Sequence, residues 1–183
     1  MEVKDIFSEL SAHMIKGLMI HTQLSDYYDF LNLHGYKRCH EYHAILEMKD
    51  YECLKRYYIE HYNKLIEEKP IENPDIIPSG WYPYSRQEVD IATKRSAVKT
   101  GIERWVAWEK ETKDLYQRMY RELMSIGEVA SAEKLSKFVC GVDKELKWAQ
   151  RKHIELADAD YDMGFIMGEQ DYLHDYYKKK MGK

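Results

Sequence analysis

Side chains that can hold a proton or a metal ion, His21, His40, His43, Glu47, Glu109 and His153, fall on or beside the apolar stripes of four long helical segments. Such positions normally carry aliphatic groups, because burying a polar group without a partner costs several kcal/mol. When several helices each turn a histidine or an acid inward, a shared cation is the usual reason. His40 and His43 are three residues apart and Glu47 is four further on, so the three share one helix face. Imidazoles and carboxylates suit iron, zinc or manganese. The competing reading is a metal-free polar interior whose histidines hydrogen-bond to tyrosines, of which the chain has 16.

The other candidates are graded by their neighbours. Glu109 shares a face with Trp105, Thr112 and Tyr116, whereas Glu103 and Glu111 flank it and are expected in solvent. On the fourth segment His153 lies in the apolar stripe, Glu145 sits one position off it, and Gln150 borders it. The expected metal set is therefore His21, His43, Glu47, Glu109 and His153, with His40 and Glu145 in reserve. His13 and His61 are expected at a solvated edge.

Apolar residues at three- and four-residue spacing place helices at about 5–31, 36–67, 86–126, 131–157 and 163–178. Gly35 is expected in the first turn, in the left-handed conformation that ends a helix. Ser85-Arg86-Gln87-Glu88 reads as a capping box opening the third helix. Ser131 and Asp162 are expected to cap the fourth and fifth. Residues 68–84 contain Pro70, Pro74, Pro78, Gly80 and Pro83 and cannot be a continuous helix. Two short turns and one long crossover describe a four-helix bundle of two antiparallel hairpins with a tail helix. If the first turn centres near residues 33 and 34, His21 stands level with position 46, between His43 and Glu47. If the second centres near 129, Glu109 stands level with position 149, between Glu145 and His153.

The chain has 183 residues, with Lys+Arg 28 against Asp+Glu 32 and a net charge of -4. That suits one domain and argues against a general nucleic-acid surface. Lys178, Lys179 and Lys180 form a weak basic tail, expected to be solvated at a frayed terminus rather than to bind DNA. Cys39, Cys53 and Cys140 form no C-x-x-C and read as reduced thiols of a cytoplasmic protein. No window is apolar enough to span a membrane, and the charged opening Met1-Glu2-Val3-Lys4-Asp5 does not read as a signal peptide. No phosphate-cradling glycine loop and no nucleophile elbow occur. Apolar and aromatic anchors point to a homo-oligomer.

The helix plan over about 5–178 resembles the ferritin-like superfamily, which includes ferritins, DNA-protecting mini-ferritins and rubrerythrins. The resemblance is strongest at His40-Glu41-Tyr42-His43-Ala44, which looks like that family's E-x-x-H-A with His40 in place of the acid. It implies that His43 is the metal-binding histidine and that His21 occupies a family carboxylate position. It also implies that Glu109 matches the bridging or terminal glutamate, and that Gln150-Arg151-Lys152-His153 matches E-x-x-H with Gln for Glu. The stretch from Tyr28 to His43 is also similar to uncharacterised ferritin-like proteins carried by prophages of low-GC Gram-positive bacteria. The implied function is iron binding, with Fe(II) oxidation and storage. The chain departs from the family by placing histidines where acids stand. A neutral imidazole cannot bridge two metals as a carboxylate does, which argues for one metal or none. The C-x-x-C pairs of rubrerythrins are absent. The alternative function is a structural or interaction protein, of phage origin, that keeps the fold around a metal-free polar core. A third reading is a mini-ferritin-like DNA binder that uses the lysine tail.

Overall fold

A computed structural model describes residues 1–72, 74 and 85–182. Most of the crossover, with Trp81, Tyr82 and Tyr84, lies outside the described residues. The helices are α1 (Val3–Phe30), α2 (His34–Tyr62), α3 (Ile91–Ser125), α4 (Val129–Asp158) and α5 (Met163–Lys180). Among the described residues there is no strand, and no helix is long and apolar enough to cross a membrane.

Contacts between helices fix their directions. Glu9 meets Arg118, His13 meets Thr112 and Lys16 meets Glu111, so α1 and α3 run antiparallel. Tyr57 meets Ser131 and Cys53 meets Lys134, so α2 and α4 do likewise. Tyr36 bonds Glu169, Arg38 bonds His174 and Tyr42 packs on Tyr177; α5 therefore lies parallel to α2. The ends of the crossover are tied to opposite ends of the bundle. The Glu68 carboxylate accepts from Ser11 Oγ at 2.6 Å and Tyr51 Oη at 3.0 Å, near the start of α1. Arg86 reaches Asp29 at the far end, at 3.4 Å.

Local chemistry moves several boundaries from the sequence expectation. Asn63, at φ 53°, takes the left-handed conformation and ends α2 short of residue 67. In the first turn that conformation belongs to Asn32 (φ 58°), and Gly35 sits inside α2 instead. The Ser85–Glu88 capping box forms but holds only a 3₁₀ turn, Arg86–Glu88. The α3 helix starts later, where the Asp90 carboxylate accepts from Thr93 N at 2.7 Å. Ser131 is not a cap. It is buried within α4, its hydroxyl shared with Tyr57 at 3.1 Å and Tyr62 at 2.5 Å. Asp162 does cap α5, through Gly164 N and Phe165 N.

Gly35 has a packing role. A Cβ there would stand 1.9 Å from the Gln170 carbonyl oxygen, an α5 backbone atom that no rotamer change can move away. Gly→Ala inside a helix ordinarily stabilises by about 0.5–1 kcal/mol. At this position the sign reverses: Gly35→Ala is expected to cost about 1–3 kcal/mol by forcing α5 off α2. A thermal melt reads this as a lowered Tm; an unchanged Tm would show that α5 does not dock there.

The apolar core is divided in two. One cluster gathers Leu24, Tyr28, Leu31, Tyr36, Val98, Ile102, Trp105 and Leu156. The other gathers Phe7, Leu10, Met14, Leu54, Met119, Leu123 and Leu135. On α2, α3 and α4 the two clusters are separated at one level, which holds His40, His43, Glu47, Glu109 and half-buried Glu145; on α1, His21 lies just past the gap, beside Ile20 of the first cluster.

Candidate metal centre

The polar layer is built from all four long helices. On α1, His21 is 1% exposed; on α2, His40 and His43 are buried; on α3, Glu109 is 1% exposed. One ligand atom from each of His21, His43 and Glu109 lies within 4.8 Å of the other two. His21 Nε2 stands 3.6 Å from Glu109 Oε1. Ligands of one cation, bonded at about 2.1 Å, lie roughly 3.4 Å apart in a tetrahedral arrangement. The pocket therefore needs to contract by up to about 1.4 Å between ligand atoms to hold one first-row ion.

Each side chain is held from behind, except one. His21 Nδ1 faces His40 Nδ1 at 3.0 Å. Glu109 Oε1 accepts from Trp105 Nε1 at 2.9 Å, one helical turn back on α3. His40 lies against Tyr28 with ring planes 10° apart and meets the edge of Trp105. His43 packs against Trp105 and Tyr177, but both its ring nitrogens are buried with no hydrogen-bond partner. A buried imidazole with neither nitrogen satisfied costs free energy that a bound cation would return. This orphaned ring is the observation that best fits a metal.

Burial sets the charge of the layer. It pushes the His21 imidazole down to about 3 and His40 and His43 well below the usual range, so all three are neutral and able to donate lone pairs. The acids move the other way. Burial raises the Glu109 carboxyl to about 7. Glu145 rises to about 8, through burial and then the charges of Glu109 and Asp50. Glu47 rises well above the carboxylate range by burial, with Glu109 and Glu145 adding repulsion. These acids surround a cavity of about 30 Å³ together with Thr112 and Tyr116. Glu47 also packs against Gly17, where a Cβ would come 2.4 Å from Glu47 Oε1, and Trp108 Nε1 donates to that oxygen at 3.4 Å.

The structure thus brings His21, His43 and Glu109 together, sets His40 behind His21, and sets Glu47 and half-buried Glu145 on the side of the small cavity. It does not bring in His153, which is half-buried on α4 and outside the group of close ligand atoms. The second turn runs through Ile126–Glu128, earlier than the expected centre, and this shifts the α3–α4 pairing toward Glu145. The inward face also differs by one position: Lys152 is buried, donates to Glu155 Oε2 at 2.7 Å and forms an ion pair with Glu169 Oε1 at 2.9 Å. His13 is not solvated either. It is buried, 2.8 Å from Thr112 Oγ1 and stacked on Trp108 at 4.2 Å. His61 is exposed and stacks on Tyr57. Sequence reasoning placed Trp105 on the right face but missed it as a donor, although its spacing of four residues from Glu109 signals such a bond. Nothing local signals Tyr177.

No family model matches the chain, and no curated protein is significantly similar to it in sequence. Solved structures are similar to it in fold. An engineered closed form of the Archaeoglobus fulgidus ferritin is 12% identical, covers 95% of this chain and 96% of its own, and superposes with a TM-score of 0.77. The open-pore ferritin of the same archaeon is 14% identical over 93% of each chain, with a TM-score of 0.76. An iron-soaked variant of PmFTN is 11% identical, covers 91% of this chain and 95% of its own, and gives a TM-score of 0.75. The architecture is therefore the ferritin-like four-helix bundle with a short C-terminal helix. In this chain the close group of candidate ligand atoms comprises two imidazoles and one carboxylate.

Proposed function

We propose that this chain binds a single divalent first-row transition-metal ion, iron(II) foremost, through His21, His43 and Glu109. The observation that carries the reading is His43, fully enclosed with both nitrogens unpartnered beside a neutral imidazole and a carboxyl group. Two histidines and one carboxylate with open positions form the donor set typical of mononuclear non-haem iron(II); zinc and manganese share these donors. Glu47 and Glu145 keep protons beside the site and can give them up when positive charge arrives. The iron-soaked state belongs to PmFTN, and its shared fold supports iron over zinc for this chain.

Iron is cargo in this reading. A bound iron(II) ion supplies one-electron redox chemistry, and the chain's residues hold it, exclude water and take up or release protons at Glu109. Oxidation and storage additionally need a shell of copies, and a homo-oligomer is part of the proposal. Light scattering that gives a monomer or dimer would remove storage and leave binding intact.

Metal analysis of the purified full-length protein, followed by anaerobic titration with Fe(II), Zn(II) and Mn(II), tests the reading. One equivalent per chain, lost in Glu109→Gln, is expected. A chain that binds none of the three returns the assignment to the metal-free alternative, a structural or interaction protein. That alternative is favoured by the internal partners Glu109 and His21 already have.

A further inference from the structure

His40 lies in the same polar layer, yet the geometry points to a different task for it. We infer that His40 is a positioning residue that fixes the proton of His21 and so decides whether His21 can bind a cation. This rests on the metal-binding reading above.

Two imidazole nitrogens 3.0 Å apart must share one proton, because two lone pairs at that distance repel and two N–H groups collide. Both rings are buried, which favours the uncharged imidazole. The shared proton therefore sits on one ring, and its place dictates the other end of His21. If His40 Nδ1–H donates, His21 carries its own proton on Nε2, the atom that faces Glu109 at 3.6 Å. His21 is then a donor to Glu109 and no ligand. If His21 Nδ1–H donates to His40 Nδ1, His21 Nε2 presents a lone pair between Glu109 and His43. A cation selects this second arrangement. A histidine bound to metal through one nitrogen is generally held by an acceptor on the other, and loss of that acceptor typically weakens metal affinity 10–100-fold.

The surroundings hold the His40 ring with Nδ1 toward His21. Its ring lies flat against Tyr28 and is met edge-on by Trp105, the residue that also donates to Glu109. Tyr28 is itself seated against α3, where the absent side chain of Gly101 leaves its hydroxyl room: a Cβ there would stand 2.0 Å from it. His40 is thus packed in place with Nδ1 committed to His21. The sequence resemblance puts an acid at position 40 in the metal set; the structure gives that position to an imidazole that acts through its neighbour.

The test uses Co(II) as the probe in anaerobic titrations of the full-length protein. His40→Phe keeps a stacked ring without an acceptor; His40→Gln restores a carbonyl acceptor. The expected result is a 10–100-fold loss of Co(II) affinity in His40→Phe, recovered to within about threefold in His40→Gln, with an unchanged Co(II) visible spectrum in the latter. Equal affinity in wild type and His40→Phe would overturn the inference while leaving the metal site standing. So would equal losses in both variants with a changed spectrum, because His40 would then be a ligand. A wild-type chain that binds no cation removes the site and the inference together. Nitrogen-15 NMR of the Zn(II)-loaded wild type needs no variant: it should show His21 with its proton on Nδ1, and a proton on Nε2 would overturn the proposal.

Discussion

His43→Leu is expected to raise the stability of the metal-free protein and abolish metal binding in the same variant. The two effects share one cause. Both His43 nitrogens are shut away from water without a partner, and each such group costs about 1–3 kcal/mol. Leucine fills a similar volume with no polar atom to desolvate. Its methyl groups would lie against Trp105 and Tyr177, both buried. A gain of roughly 1–3 kcal/mol in chelator is expected from urea unfolding, with Co(II) affinity reduced at least a hundredfold. A destabilised variant would mean that His43 has a satisfied partner in the folded chain, and the case for a cation would fall with it.

The metal-free protein should hold a stability plateau between about pH 4.5 and 6.5 and weaken on both sides. His13 and His21 are held down near 3, and His40 and His43 well below the ordinary imidazole range, chiefly by burial. Unfolded, each titrates near 6.5. Below that pH the unfolded chain takes up protons the folded chain refuses, and each histidine removes about 1.4 kcal/mol of stability per pH unit. The raised acids act in the opposite sense. Burial lifts Glu109 to about 7, Glu145 to about 8, Asp50 to about 6, and Glu47 well above its ordinary range. Their contribution is complete below the unfolded values, near 4, and drains as pH rises through the folded ones. From about 4.5 to 6 the two sets nearly cancel. Below that range the histidines alone act, and above 6.5 the acids alone act. Urea midpoints in chelator at pH 4, 6 and 8 should therefore be highest at pH 6. Equal midpoints at pH 6 and 8 would show that these acids are not buried. A cation reverses the alkaline limb, because it favours ionised Glu109; its binding should release a proton and tighten as pH rises toward 7.

The sequence carried the helix order and the layer, and the reasons are particular. His21, His43 and Glu109 interrupt stripes of otherwise apolar residues, and a side chain in such a stripe has nowhere to point but inward. His153 occupies a similar place on paper. Its exclusion depends on where the second turn begins and on a one-position rotation of α4 that turns Lys152 inward. Neither is encoded near residue 153. Local pattern also found the capping box at Ser85 but not the competing cap at Asp90, five residues on, which starts α3 itself. The tail helix was legible as a helix. That it lies parallel to α2, with Gln170 against Gly35 and Tyr177 against His43, is a tertiary fact that periodicity cannot express.

That placement of α5 has a kinetic consequence. His21, His43 and Glu109 are almost wholly enclosed, and buried Tyr177 of α5 packs on His43. If an ion is held there as proposed, its release would require movement of the packing around the site, and the docking of α5 on His43 would then bear on its residence time. The Lys152–Glu169 ion pair, which ties α4 to α5 away from the ligand atoms, would then contribute to that residence time.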